Sequence, residues 1–404
     1  MKTLLAGGSV YTRSGYEKKD VLVEDGMVLD IGDDIKINAE KVIHCDNFFL
    51  IPGLIDVHVH FREPGAEYKE TIMTGSASAA AGGYSTVLTM PNLSPAPYDL
   101  EGLRPQLDAI ENAMEKGARA KVIPYGRITD GKHVADLEEL APFVCAFSDD
   151  GAGVQDEGLM REAMIRAKAL GKLIVAHSED TLYAPEDPRS EYKQIERDIK
   201  LADETGCSHH VCHVSSKESI SLIRDAKKSG VDITCETAPH YLVFSNEALP
   251  DDGRFKMNPP IRSKEDKEAL LEAVSDGTVD MIATDHAPHS AEEKSRGFKD
   301  SLNGILGLES AFPVMYTRLV LGGVIDDDRL IELMSGAPAR RFGLAGGAIE
   351  KGGAADIAVV DLDGAFRIDP SGWKSKGRST PFEGMEVKGR IMMTMAEGKM
   401  AYER

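Results

Sequence analysis

Phe48-Phe49-Leu50-Ile51-Pro52-Gly53-Leu54-Ile55-Asp56-Val57-His58-Val59-His60 is the stretch on which the fold of this chain turns. It is almost continuously apolar until the histidines, as expected of a strand buried on both faces of a parallel sheet. Downstream the pattern alternates. Short apolar runs at 85–90, 120–124, 146–149, 173–177, 210–214, 233–238 and 281–284 read as further strands. Between them lie helix-period stretches such as 157–170, 217–229 and 264–274, with Gly171 and Gly230 placed as C-terminal stops. Eight strands joined by helical connections predict an α/β fold, a closed (β/α)8 barrel of the TIM type. An open doubly wound sheet fits less well, because no G-x-G-x-x-G turn follows an early strand; Ala81-Gly82-Gly83 precedes the second strand and opens no helix.

Outward from the barrel the chain has β-character at both ends. Segments 3–10, 20–24 and 27–31, the last two flanking Asp25-Gly26, read as strands with a hairpin turn, and 355–362 and 390–395 read as strands that do not continue the barrel rhythm. The expected division is a small β-sandwich-like domain assembled from residues 1–50 and 345–404, with the barrel spanning 51–344. Such docking ties down both termini.

With 404 residues, 42% hydrophobic and 28% charged, the chain is ordinary globular protein and not a collagen-like, coiled-coil or disordered one. Lys plus Arg number 47 against 67 Asp plus Glu, a net charge of −20 that repels nucleic acid and anionic lipid. An acidic small molecule is repelled too, so binding one requires a local cation inside a pocket. No apolar run approaches the roughly 20 residues of a membrane helix, and the start 4–10 is broken by Gly7 and Gly8. Five cysteines (Cys45, Cys145, Cys207, Cys212, Cys235) are odd in number and sparse, which favours free thiols in a reducing compartment, the cytoplasm.

His58-Val59-His60 can present two imidazoles on one side of a strand. Alone the pair is as readily explained by chance. But His177, His213 and Asp285 also close apolar runs, and Asp149-Asp150 follows another, each at the strand end where barrel enzymes gather their chemistry. Four His and two carboxylates suit a pair of borderline cations such as Zn²⁺, each with a position left for water or substrate. Spacing alone leaves Asp149 and Asp150 as alternatives. A structural zinc on Cys207, His210, Cys212 and His213 lacks finger-like spacing and is the weaker reading. His286 should point away from Asp285 and pack.

Asp56-Val57-His58-Val59-His60-Phe61-Arg62-Glu63-Pro64-Gly65, Thr89-Met90-Pro91-Asn92, Lys256-Met257-Asn258-Pro259-Pro260, Ala283-Thr284-Asp285-His286-Ala287-Pro288-His289 and Ser375-Lys376-Gly377-Arg378-Ser379-Thr380-Pro381-Phe382 together resemble the dihydroorotases of the amidohydrolase superfamily. The likeness is to their longer, bacterial-type class and covers nearly the whole chain. It implies that His58, His60 and Asp285 hold one zinc and His177 and His213 another, more weakly held. In many superfamily members the bridge is a carboxylated lysine; no lysine stands in the matching stretch here, and Asp150 is implied instead. The resemblance makes Asp285 the catalytic acid and base. Arg62, Asn92 and His289 become the grip on a substrate carboxylate, and Asn258 and Gly304 the contacts to the ring. Dihydroorotate and carbamoyl aspartate are the implied substrates, with aspartate carbamoyltransferase as a partner and a homodimer as the assembly. The rival expectations are an allantoinase or hydantoinase, and a scaffold partner of that transcarbamoylase without activity. The polar stretch 290–303 reads as a mobile loop over the mouth or a solvated surface loop.

Overall fold

In the computed structural model, residues 2–12 and 15–404 are described; Met1, Arg13 and Ser14 of the N-terminal segment lie outside the described residues. The opening apolar run is two strands, not one. Phe49–Pro52 pairs parallel with Lys2–Thr12 and antiparallel with Ile357–Asp361, whereas Leu54–Val59 pairs parallel with Tyr84–Thr89. The break is at Gly53, where a Cβ would lie 2.5 Å from Ser85 Oγ and 3.2 Å from the Asp356 carbonyl carbon. Only glycine lets the chain pass so close to the Ser85 side chain and the Asp356 backbone. Ile51 and Pro52, placed at the start of the barrel by the sequence reading, therefore belong to the terminal sheet. An apolar run looks the same whether it crosses one sheet or two.

That terminal sheet has eight strands. Its order is Lys399–Glu403, Arg390–Ala396, Ile357–Asp361, Phe49–Pro52, Lys2–Thr12, Gly15–Glu24 and Met27–Gly32, with Lys41–His44 also pairing with Lys2–Thr12. Asp25 (φ 48°) and Gly26 (φ 84°) form the expected tight hairpin. A bridge between Met27 and Ala354 brings the far edge back on itself, around a core that includes Leu5, Val21, Val28, Leu50, Ile357 and Met393.

The barrel strands follow the predicted rhythm. Leu54–Val59, Tyr84–Thr89 and Lys121–Pro124 form one run of parallel pairs, and Gly126–Arg127, Phe147–Ser148, Ile174–Ala176, His209–Val211, Ile233–Thr237 and Met281–Ile282 the other. Tyr125 lies between the two runs: its N–H donates to the Thr89 carbonyl (3.1 Å) and its buried hydroxyl to that of Val57 (2.8 Å), both in the first run, while the next residue, Gly126, opens the second and donates to the Ala146 carbonyl (3.1 Å). The ring closes between the last strand and the first, through a Val59–His286 bridge and a hydrogen bond from His60 N–H to the His286 carbonyl (2.8 Å). Helices Glu157–Ala169, Lys217–Lys228 and Lys264–Asp276 start at Asp156, Ser216 and Ser263, whose side chains accept from backbone N–H groups of the first turn. Gly171 (φ 66°) and Gly230 (φ 86°) follow two of them in the left-handed conformation that stops a helix. No helix among the described residues is long and apolar enough to cross a membrane.

Gly53→Ala is expected to lower stability by about 1–3 kcal/mol, because the new methyl is forced against strand backbone and a buried serine. An unchanged urea midpoint would show that the two sheets do not need this close approach.

Candidate active site at the barrel mouth

The strand ends carry the candidate side chains to one place. His58 lies in Leu54–Val59 and His60 just beyond it; Asp150, His177, His213 and Asp285 follow the strands ending at Ser148, Ala176, Val211 and Ile282. At His213 (φ 32°) and Asp285 (φ 48°) the backbone turns left-handed, a conformation that costs a non-glycine residue about 1–3 kcal/mol and ends each strand sharply.

Asp150 Oδ1 is 3.4 Å from His58 Nε2, 3.3 Å from His177 Nδ1 and 3.3 Å from His213 Nε2, and its Oδ2 is 3.3 Å from His60 Nε2. Asp285 Oδ1 is 3.0 Å from His60 Nε2 and 3.6 Å from His58 Nε2. Asp149 turns the other way, accepting from the N–H groups of Ile128 (2.8 Å) and Thr129 (3.3 Å), from the Thr129 hydroxyl (2.6 Å) and from Arg127 Nε (3.2 Å). Of the two adjacent aspartates, Asp150 is the one that faces the imidazoles.

These residues fit a divalent cation. His58 Nε2 is buried without a hydrogen-bond partner, although it faces two carboxylates. His58, His60 and Asp285 form one group of converging donor atoms, and His58, Asp150 and His213 another. Burial opposes ionisation of Asp150 and Asp285, yet the surrounding imidazoles outweigh it and hold both well below the usual carboxylate range. His177 is pushed up to about 9, because Asp150 and Glu179 together overcome its burial. An array that stabilises imidazolium in this way offers the same negative field to a metal cation, which competes with protons for those nitrogens.

The residues expected to grip substrate lie in the same place. A cavity of about 200 Å³ is walled by the metal candidates other than His58 and by Arg62, Asn92, Asn258, His289 and Gly304. Arg62 Nε donates to the Pro288 carbonyl (3.3 Å). Asn92 Oδ1 lies 3.0 Å from His60 Nδ1, and Asn258 Nδ2 donates to Glu179 (2.9 Å), which in turn contacts His177 Nε2 (3.0 Å). The stretch 290–303 is not a featureless loop: it forms the short turns Ala291–Lys294 and Gly297–Asp300. Buried Lys294 pins it by donating to the carbonyls of Lys256 (3.1 Å) and Leu302 (2.7 Å).

Residues 49–401 match the amidohydrolase family. The chain belongs to that family. It is 44% identical to a dihydroorotase of Listeria monocytogenes serovar 1/2a and 42% identical to one of Fusobacterium nucleatum, in each case over 99% of this chain and 98% of the other. Among solved structures, an L-hydantoinase (dihydropyrimidinase) from Arthrobacter aurescens superposes with a TM-score of 0.89 at 29% identity, over 99% of this chain and 96% of that one. These relatives place the barrel and the terminal sheet in one amidohydrolase architecture.

Two other histidines of this amidohydrolase, His286 and His210, are engaged away from the cluster. His286 Nδ1 accepts from the Gly307 N–H (3.3 Å) and its Nε2 lies 3.5 Å from buried Glu70, so it packs behind the site as expected. His210 turns to Thr234 and Glu236 and His213 to Asp150, which disperses the candidate structural zinc set.

Glu236 was not singled out from the sequence, although a carboxylate inside the apolar run of a barrel strand must find a partner. It has three: Oε1 is 2.6 Å from His58 Nδ1 and accepts from the His213 N–H (3.3 Å), and Oε2 is 3.1 Å from His210 Nε2. Glu236 therefore fixes the His58 ring so that Nε2 faces Asp150 and Asp285, the outer-carboxylate arrangement common behind metal-binding histidines. Glu236→Gln is expected to weaken divalent-metal affinity by about 10- to 100-fold. Competition with a chelating dye would measure it, and wild-type affinity would show that His58 is oriented by other contacts.

Proposed function

We propose that this amidohydrolase is a dihydroorotase, interconverting (S)-dihydroorotate plus water and N-carbamoyl-L-aspartate in de novo pyrimidine (UMP) synthesis. The observation that carries the reading is the Arg62 guanidinium in the wall of the same small cavity as the imidazole–carboxylate cluster. A chain of net charge −20 has no general attraction for an acid. A guanidinium can hold one bidentately, and His289 and Asn92 stand beside it.

In this reading His58, His60 and Asp285 would hold one zinc ion and His177 and His213 a second, more weakly held, with Asp150 placed to serve both. When bound, such cations supply the Lewis acidity that lowers the pKa of water and polarises the scissile carbonyl. The chain's own groups do the rest. Arg62, Asn92 and His289 hold the ring carboxylate, and Asn258 with the backbone at Gly304 orients the ring, which fixes the carbonyl against the attacking water. Asp285 accepts the proton of that water as the new C–O bond forms. It then returns the proton to the ring nitrogen as the C–N bond breaks, leaving a carbamoyl NH2 and a carboxyl group whose remaining proton passes to solvent. Ring closure uses the Asp285 carboxyl in the opposite order. The reading also takes in the division at 1–50, 51–344 and 345–404, a cytoplasmic homodimer, and aspartate carbamoyltransferase as the partner whose product is consumed.

The likeness to hydantoinases favours a second reading, a cyclic amidohydrolase for neutral rings. Arg62 distinguishes the two, since a half-buried guanidinium in the cavity wall rewards a substrate carboxylate and gives a neutral ring no such partner. A scaffold role is disfavoured because the chain keeps the whole expected donor set, His60, Asp150, His177, His213 and Asp285 in the cavity wall and His58 behind it within reach of Asp150 and Asp285.

The test is hydrolysis of dihydroorotate beside hydantoin and allantoin by the zinc-loaded protein; preference for a neutral ring sinks the reading. Arg62→Ala should raise KM for dihydroorotate about 10- to 100-fold with a smaller change in kcat. An unchanged KM would mean that the carboxylate binds elsewhere. Asp285→Asn should lower kcat by about 100- to 10,000-fold while metal stays bound; near-normal turnover removes Asp285 from proton transfer.

A further inference from the structure

His289 has no N–H free for a substrate. Its Nε2 is 2.7 Å from the carbonyl oxygen of Asn303, which can only accept, so Nε2 carries the proton and donates it. Its Nδ1 is 3.1 Å from Lys69 Nζ, an ammonium that can only donate, so Nδ1 presents its lone pair. A second group competes for Nδ1. Glu293 Oε2 stands 3.4 Å from it, while Glu293 Oε1 accepts from Lys69 (3.1 Å) and from the Tyr68 hydroxyl (2.9 Å). Lys69 and Glu293 are both largely buried, with side-chain exposures of 13% and 14%. They come from different parts of the chain: Lys69 follows the first barrel strand, and Glu293 lies in the turn Ala291–Lys294 of the covering segment.

From this arrangement we infer that Lys69 is a positioning residue that acts through His289: by holding Nδ1 as an acceptor against Glu293, it keeps the ring's one proton on Nε2, where a substrate carboxylate can receive it in place of the Asn303 carbonyl. The inference rests on the reading of Arg62 and His289 as an acid grip. Burial and the nearby charges of Arg62 and Lys69 also press His289 toward its neutral form, down to about 4. Without the ammonium, Glu293 is the remaining partner for Nδ1 and draws a proton to it. The one proton of a neutral ring is then contested between Glu293 at Nδ1 and the Asn303 carbonyl at Nε2, and whenever it sits on Nδ1 the ring turns a lone pair toward the incoming carboxylate and two acceptors meet. Lys69 thus reaches the substrate through one imidazole, without lining the cavity.

The test pairs kinetics with a spectrum that needs no substrate. In full-length, metal-loaded protein, two-bond ¹H–¹⁵N correlation reads the tautomer of His289, assigned by its loss in His289→Gln. The wild type should show Nε2–H with Nδ1 bare, and Lys69→Met should gain a proton at Nδ1. The same variant should raise KM for dihydroorotate about tenfold with kcat nearly unchanged. Lys69→Arg, which keeps a donor, should restore most of the loss. So should Lys69→Met combined with Glu293→Gln, which removes the competing carboxylate and offers an amide N–H to Nδ1. A wild-type ring protonated at Nδ1 overturns the proposal, as does a KM rise without a change at Nδ1 or a change at Nδ1 without a KM rise. A double variant no better than Lys69→Met also overturns it, assigning the effect to packing. If the wild type does not turn over dihydroorotate, the functional reading fails and the spectra of wild type and Lys69→Met alone decide the role of Lys69.

Discussion

Asp56 is where the first and last barrel strands are joined. Its buried carboxylate accepts from the His58 N–H (3.0 Å) on its own strand and from the Thr284 N–H (3.2 Å) across the seam. Burial pushes its pKa up to about 7, since desolvation outweighs those hydrogen bonds. The seam stands between His58 and His60 on one side and Asp285 on the other, so its register sets whether Asp285 can face those imidazoles. Parallel pairing supplies the remaining strands one after another, but only closure makes neighbours of residues more than 200 positions apart. The site depends on that closure as a whole.

Around the mouth the protein concentrates charge that the rest of the chain would disperse. The carboxylates of Asp150 and Asp285 stay ionised in a buried place because imidazoles surround them, and the His58 ring is in turn held from behind by Glu236. Arg62 adds the one sign of charge that an acidic protein otherwise withholds from an acid. Burial lowers its pKa, and the field of Asp285 and Asp150 opposes that loss. Repulsion of an anion at long range and capture at short range coexist because solvent screens the first and a dry pocket strengthens the second.

Much of this was legible in the sequence, and for identifiable reasons. Strand rhythm survives as apolar runs because barrel strands are covered on both faces, and His177, His213 and Asp285 stand out because each closes such a run. What the pattern concealed are relations across strands. The run from Phe48 to His60 crosses two sheets, and its break at Gly53 is made by Ser85 and Asp356, neither of which is nearby in sequence. Asp149 and Asp150 are equivalent by spacing and differ only because Ile128 and Thr129 claim the first. Glu236 carried a signal, a carboxylate in an apolar strand, but its partners His58 and His210 are set by the barrel.

By itself, then, the chain's order of residues determined the alternation of strand and helix, the end of each strand at which polar groups accumulate, and the kinds of donor available, because those follow from periodicity and side-chain chemistry. Tertiary structure alone decided which aspartate faces the imidazoles, which ring nitrogen each histidine presents and which cations reach the mouth. Those choices are made by contacts between elements distant in sequence, and a contact has no local signature until the barrel closes.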